Sequence, residues 1–272
     1  MQLDNTRIVI RERSFAEVLD LSLRVTRRYF GPLVVTLILG IAPLFALNAY
    51  LLSDMVEEEL EATISPGYVL LLPLLILWQI PLATAPATLY LGQAVFLQRP
   101  SGRRVASDLA RSAPQLLLYQ VLLRAVLVWP LVTWLWLFGQ YAYLNEVILL
   151  ERNPLRQRSP GKPSTERRCR TLLAGAAGDM WVRAMASAGV AAILLLSFSS
   201  ALWVAVGLFV GEWDLDGFML THGYHVALWL VAGFFTVVRF LGYLDLRIRR
   251  EGWEVELVMR AESELLAGPE TA

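Results

Sequence analysis

The sequence predicts an all-α integral membrane protein. It should have about six transmembrane helices, an N-terminal amphipathic helix and a short cytoplasmic C-terminal segment. Three observations predict this. Hydrophobic residues fill 56% of the 272 positions and charged residues only 18%, against roughly 45–50% and 25% in soluble domains, and mean hydropathy is +0.52. The apolar residues are gathered into windows without Asp, Glu, Lys or Arg: 29–53, 62–98, 184–211 and 217–238, with 112–150 broken only by Arg124 and Glu146. The basic residues are segregated, 22 of 24 falling in four polar segments between those windows.

A helical crossing needs about 20 apolar residues, and each window is long enough. Runs such as Val69-Leu70-Leu71-Leu72 and Ile193-Leu194-Leu195-Leu196 do not alternate as barrel strands do. One membrane domain, 1–272, is expected, with spans at about 30–52, 67–97, 114–131, 134–150, 183–211 and 219–246. The residues 247–272 form a tail. The first apolar run starts near Phe30 after a long polar segment. It is longer than the ~7–15 residues of a cleaved signal, so it reads as a retained span.

Ser14 and Glu17 form a Ser-x-x-Glu capping box. Phe15, Val18, Leu19, Val25 and Tyr29 then follow at helical spacing, with Glu17, Asp20, Arg24, Arg27 and Arg28 opposite. This predicts an amphipathic helix over 14–29 lying in the membrane surface; a helix packed on loops is the alternative. In the second span, Pro73, Pro81 and Pro86 predict a tilted, kinked helix, or a broken one lining a path. The basic 99–111 segment reads as a loop. At 37 residues, 114–150 is too long for one crossing. Trp129, Pro130, Trp134 and Trp136 near its middle predict a hairpin of two crossings, a re-entrant pair being the alternative. The breaker-rich 153–164 segment reads as an exposed loop, with a helix from Ser164 to about Ala177. In the fifth span, Ala184, Ala188 and Ala192 with Ser187 offer a close-packing face. Trp253–Leu257 and Arg7–Arg11 alternate in part and suggest two short paired strands, although charged helices fit them equally.

Short basic loops stay in the cytoplasm. The segments 1–29, 99–111, 151–183 and 247–272 are therefore expected inside. The two acidic connections, around Glu58 and around Asp214, hold no Lys or Arg and are expected outside. The chain should be a multi-pass protein of the cytoplasmic (inner) membrane with both termini in the cytoplasm. The arginines of the basic loops should attract anionic lipids. The zero net charge gives no reason to expect nucleic acid.

Arg124, Glu146 and Arg239 lie inside apolar runs and mark candidate functional positions. An Arg124–Glu146 ion pair is expected, with Arg239 the competing partner for Glu146. Little else carries chemistry. His222 and His225 stand three apart near Asp214 and Asp216, a weak metal pattern, and no metal or cofactor is expected. Cys169 lies among Arg167, Arg168 and Arg170, charges that would lower its thiol pKa. Phosphate loops, catalytic triads of known order and His-Glu-x-x-His do not occur.

Three stretches carry a resemblance. Arg13-Ser14-Phe15-Ala16-Glu17-Val18-Leu19-Asp20 is followed by Arg27-Arg28-Tyr29-Phe30. Leu149-Leu150-Glu151 is followed by Arg168 through Gly175. The close is Tyr243-Leu244-Asp245-Leu246-Arg247-Ile248-Arg249-Arg250-Glu251-Gly252-Trp253. In this order they resemble bacterial polytopic proteins named for a glycerophosphodiester phosphodiesterase membrane domain. The last stretch is the most specific, through Asp245, Arg247, Arg249, Glu251 and Gly252. The resemblance implies about six membrane helices and a cytoplasmic terminal pair, with the 245–252 segment packed near the 13–20 helix. It implies the non-catalytic part only, and no phosphodiesterase activity. The function expected is a membrane module or complex subunit, not an enzyme, with an unidentified protein partner. A transporter or permease subunit is the alternative, and a lipid-modifying enzyme is a third class for which no convergent acids or metal ligands are found.

Overall fold

The computed structural model describes residues 13–55, 66–96, 100–123, 141–155, 163–211, 213 and 219–251. Among them 89% are helical and none is in a strand. The two stretches expected to pair as strands, 7–11 and 253–257, lie outside the described residues.

Helix α1 (Phe15–Arg28) begins at the capping box: the Glu17 main-chain N–H donates to Ser14 Oγ at 3.3 Å, and the Ser14 N–H donates to Glu17 Oε2 at 2.8 Å. Arg27 and Arg28 close its last turn, where the helix dipole favours cations. Only Tyr29 separates it from α2 (Phe30–Leu51). The expected second span is two helices, α3 (Pro66–Ala83) and α4 (Ala85–Phe96), bent by 42° at Thr84. Pro86 sits in the first turn of α4, where its missing N–H costs nothing. The Thr84 and Thr88 hydroxyls donate to the Ile80 and Thr84 carbonyls at 2.7 and 3.0 Å around the bend. Glycine in α2 makes room for that bend: a Cβ on Gly40 would stand 1.9 Å from the Ala83 carbonyl oxygen.

From Gly102 onward the polar 99–111 stretch is helical rather than a loop. Helix α5 (Gly102–Leu117) runs without a break into a π-helix, Leu118–Leu123, and so into the expected third span. Its period explains this: Val105, Ser112 and Leu116 are buried on one face and the arginines take the other. Helix α6 (Leu144–Glu146) continues as a π-helix, Val147–Glu151, and stops at Arg152 in the left-handed conformation, φ 52°. The hairpin turn expected between 131 and 134 lies outside the described residues. Helix α7 (Thr165–Leu173) starts at Ser164, which accepts from the Arg167 N–H. Gly175, at φ 74°, turns the chain into α8 (Ala177–Val210), so the fifth span begins six residues before its expected start at 183. A π turn, Met219–Gly223, leads into α9 (Tyr224–Glu251). The first five residues of the expected tail, 247–251, are thus the end of α9.

Among the described residues three helices, Phe30–Leu51, Gly178–Val210 and Tyr224–Glu251, are long and apolar enough to cross a membrane, and the bent α3–α4 pair makes a fourth if it is one span. That is fewer than the six expected, and residues 124–140, which fall in two of the expected spans, lie outside the described residues. Helix α9 is the axis. Two thirds (67%) of its most apolar window is buried, against 6% for α2 and for α8. Helix α1 packs part of its apolar face on the bundle. Val18 and Val25 pack into one cluster with Leu33 of α2 and Val237, Val238, Phe240 and Leu241 of α9. The outward faces of α2 and α8 carry Val35, Ile38, Leu39, Ile193, Leu196, Leu208 and Phe209 exposed. Such a surface suits hydrocarbon and would be a liability in water.

Candidate functional site

The last two turns of α9 hold most of the polar chemistry. Tyr243, Asp245, Arg247, Arg249 and Glu251 alternate in sequence. In a helix, residues two apart point about 200° apart. The alternation therefore splits into two faces, with Tyr243, Arg247 and Glu251 on one and Asp245 and Arg249 on the other.

The first face meets α6 and α7. Glu151, at the end of the π-helix, accepts from Arg168 Nε at 2.6 Å and Nη2 at 2.9 Å, from Tyr243 Oη at 2.6 Å and from Asn153 Nδ2 at 2.9 Å. Arg168 also donates to Glu251, whose other carboxylate oxygen takes Arg247 Nε at 3.0 Å and Nη2 at 2.7 Å. Two carboxylates and two guanidiniums thus cancel in charge. Burial pushes the Glu151 carboxyl up, but the hydrogen bonds from Arg168 and Tyr243 and the Arg168 and Arg247 charges outweigh it, so its pKa is lowered. Arg168 is held protonated, chiefly by its hydrogen bond to Glu151.

The second face meets α1 and α8. Asp245, with 1% of its side chain exposed, accepts the Arg13 main-chain N–H at 2.8 Å and Arg183 Nη1 at 3.1 Å, and lies 3.2 Å from Arg249 Nε. Arg249 reaches on to the Arg13 carbonyl, and Arg183 to Asp179 at 3.2 Å. The structure therefore places the 245–251 segment against the start of α1.

Deeper in the bundle, Arg239 grips Glu146 with both prongs, Nε to Oε1 at 2.8 Å and Nη2 to Oε2 at 2.9 Å, and donates to the Ala142 carbonyl at 2.6 Å. Glu146 is thus held by Arg239, the competing partner. Arg124, expected first, lies outside the described residues, as does Gly252. Another polar group joins α2, α3 and α9. Asn48 and Gln79 exchange amide hydrogen bonds at 2.9 and 2.6 Å, and Asn48 Nδ2 lies 3.5 Å from His225 Nε2. The His225 ring stacks on Phe45 at 3.9 Å, turned into the bundle. No protein-family model, curated protein or solved structure matches the chain.

One site expectation is altered by this geometry. Cys169 is buried, and burial, aided by the Glu146 and Glu151 charges, pushes its thiol up to about 12. The neighbouring arginines point away into the surface or toward Glu151, so the thiol is not activated. Among the described residues no three His, Cys, Asp or Glu side chains converge on a metal position. Glu151, Arg168 and Tyr243 belong to the resembling stretches but are not among the expected site residues, Arg13 opens the first of those stretches, and Arg183 lies in none of them. Arg183 was readable only as the charge that ends a charge-free window.

Proposed function

We propose that this chain is a six-crossing protein of a bacterial inner membrane, both termini cytoplasmic, that acts as a non-catalytic membrane module or complex subunit. The observation that carries the proposal is the closure of the charged end of the bundle. Asp245, Arg247, Arg249 and Glu251 are spent on joining α9 to α1, α6, α7 and α8. A catalytic acid or base needs a proton-transfer position facing substrate, whereas these carboxylates face arginines. The resemblance to the non-catalytic glycerophosphodiester phosphodiesterase membrane domain supports the same reading, since its most specific stretch is this fastening segment.

Crosslinking in membranes followed by mass spectrometry tests it: stable protein partners are expected. Reporters fused after Arg103, Lys162 and Arg250 should read cytoplasmic, and those at Glu58 and Asp214 external, from the basic asymmetry. An external signal at Lys162 overturns the double crossing of 114–150.

The second reading, a transporter or permease subunit, is favoured by the 42° bend at Thr84 and by the interior Glu146–Arg239 pair. Solute flux through liposomes holding only this protein, and no stable partner in membranes, supports it over the first.

A further inference from the structure

Two sets stand out among the arginines of the charged end, apart from Arg167 and Arg170 on α7 and Arg250 at the end of α9. One set is engaged: Arg168, Arg183, Arg247 and Arg249 in the fastening network, Arg152 on Asp108 at 2.6 Å and Arg24 on Asp20 at 2.8 Å. The other set comprises Arg27 and Arg28 on α1 and Arg103, Arg104 and Arg111 on α5. All five are exposed, and none has a carboxylate partner among the described residues. The nearest acids of α1 and α5, Asp20 and Asp108, are the two already engaged.

These five residues are not scattered. Arg103, Arg104 and Arg111 share the solvent face of α5, opposite buried Val105, Ser112 and Leu116. The end of α1 and the start of α5 both meet α4. Tyr29 packs edge-on against Tyr90 at 6.4 Å, and Gln93, one turn further along α4, accepts the Ser101 N–H at 3.1 Å. The first turn of α5 holds no acid, and its own N–H dipoles add to the positive field beside Arg103 and Arg104.

Apolar side chains flank the charges. Leu23, 59% exposed, lies one turn before Arg27 on α1, and Phe30, 62% exposed, opens α2 two residues after Arg28. Leu117, 51% exposed, follows Arg111 by less than two turns. Arg27 and Arg28 immediately precede the first span, and Arg111 precedes the third by three residues. Cations placed beside exposed apolar groups at the ends of spans match the phosphate-to-acyl boundary of a bilayer. A soluble acidic protein would gain nothing from Leu23 and Phe30 at that depth.

We infer that Arg27, Arg28, Arg103, Arg104 and Arg111 form a binding surface for anionic phospholipid headgroups of the inner leaflet, flanked by Leu23, Phe30 and Leu117, and that the fastening arginines take no part. This rests on the membrane topology proposed above and narrows the general attraction of basic loops to five residues.

The test uses the full chain in nanodiscs of phosphatidylcholine, with and without phosphatidylglycerol, reading Tm and the number of phosphatidylglycerol molecules retained in native mass spectrometry. Phosphatidylglycerol should raise the wild-type Tm. Replacing all five arginines by Gln should remove most of that rise and of the retained lipid, leaving Tm in phosphatidylcholine unchanged. The partial variants R27Q/R28Q and R103Q/R104Q/R111Q, which keep the test usable if the fivefold change harms folding, should each lose part. The R24Q/R170Q control should keep the full rise. A rise undiminished in the fivefold variant, or equally lost in the control, overturns the proposal. So does binding of soluble polyglutamate that depends on the five arginines while phosphatidylglycerol has no effect, which points to an acidic protein instead. Failure of the chain to enter nanodiscs with protease-protected spans overturns the membrane reading itself, and is distinguished by that protection assay.

Discussion

Asp245 accepts the main-chain N–H of Arg13 at 2.8 Å across 232 positions of sequence. One buried carboxylate thereby holds the residue ahead of the α1 cap and the first turns of α8 to the end of α9. Replacing Asp245 by Ala leaves Arg249 without its carboxylate and Arg183 with Asp179 alone, which should cost about 3–5 kcal/mol. Asp245→Asn keeps an acceptor for Arg13 and should cost less. Thermal unfolding in detergent measures the difference, and protease cleavage within α1 should accelerate in the Ala variant first. Equal Tm for the wild type and Asp245→Ala would remove the fastening role.

Glu146 and Arg239 form a bidentate pair with only 3% of the Glu146 side chain exposed. Arg239→Leu strands the carboxylate and should lower stability by about 3–5 kcal/mol, whereas the Glu146→Leu/Arg239→Leu double variant should regain most of it. A double variant that melts no higher than the worse single one shows that the two side chains are not coupled.

Glu151 has a lowered carboxyl pKa in the folded chain. A carboxylate whose folded pKa lies below its unfolded value, ~4.3, contributes stability that is complete above that value. The contribution is lost as pH falls through the folded pKa. Stability should therefore decline on acidification below about pH 4.3, and Glu151→Gln should flatten that acid limb while lowering stability at neutral pH. Unfolding midpoints measured from pH 3 to 7 check it, an unchanged acid limb being the contrary result.

Gly40 lies against a carbonyl rather than a side chain. A Cβ there would stand 1.9 Å from the Ala83 oxygen and 2.9 Å from its carbon, and backbone cannot rotate aside. Gly40→Ala should force α2 away from the α3–α4 bend and cost about 1–3 kcal/mol. Gly189→Ala, with nothing within 4 Å of the added Cβ, is the control and should be nearly silent. Comparable Tm losses in both would place the effect in helix propensity instead of contact.

The all-α class, the apolar windows and the Ser14–Glu17 cap were determined by the sequence alone. Each rests on local physics: apolar runs without alternation, charge segregation, and a hydroxyl and a carboxylate three residues apart. Glu146 and Arg239 were legible for the same reason, as charges where none should be. Which partner Glu146 takes was decided by the packing of α6 on α9, since reach across helices is not written in the spacing of either one. The same holds for the alternating Tyr243–Glu251 stretch. Its residues read as a pattern, but only a helix extending past Arg247 turns that pattern into two faces. Only the neighbours α1, α6, α7 and α8 supply Arg13, Glu151, Arg168 and Arg183 to meet them. Cys169 makes the point from the other side. Its arginine neighbours in sequence predict a lowered thiol pKa, and burial, a property of tertiary structure, reverses the sign because desolvation of a thiolate outweighs charges that are turned elsewhere.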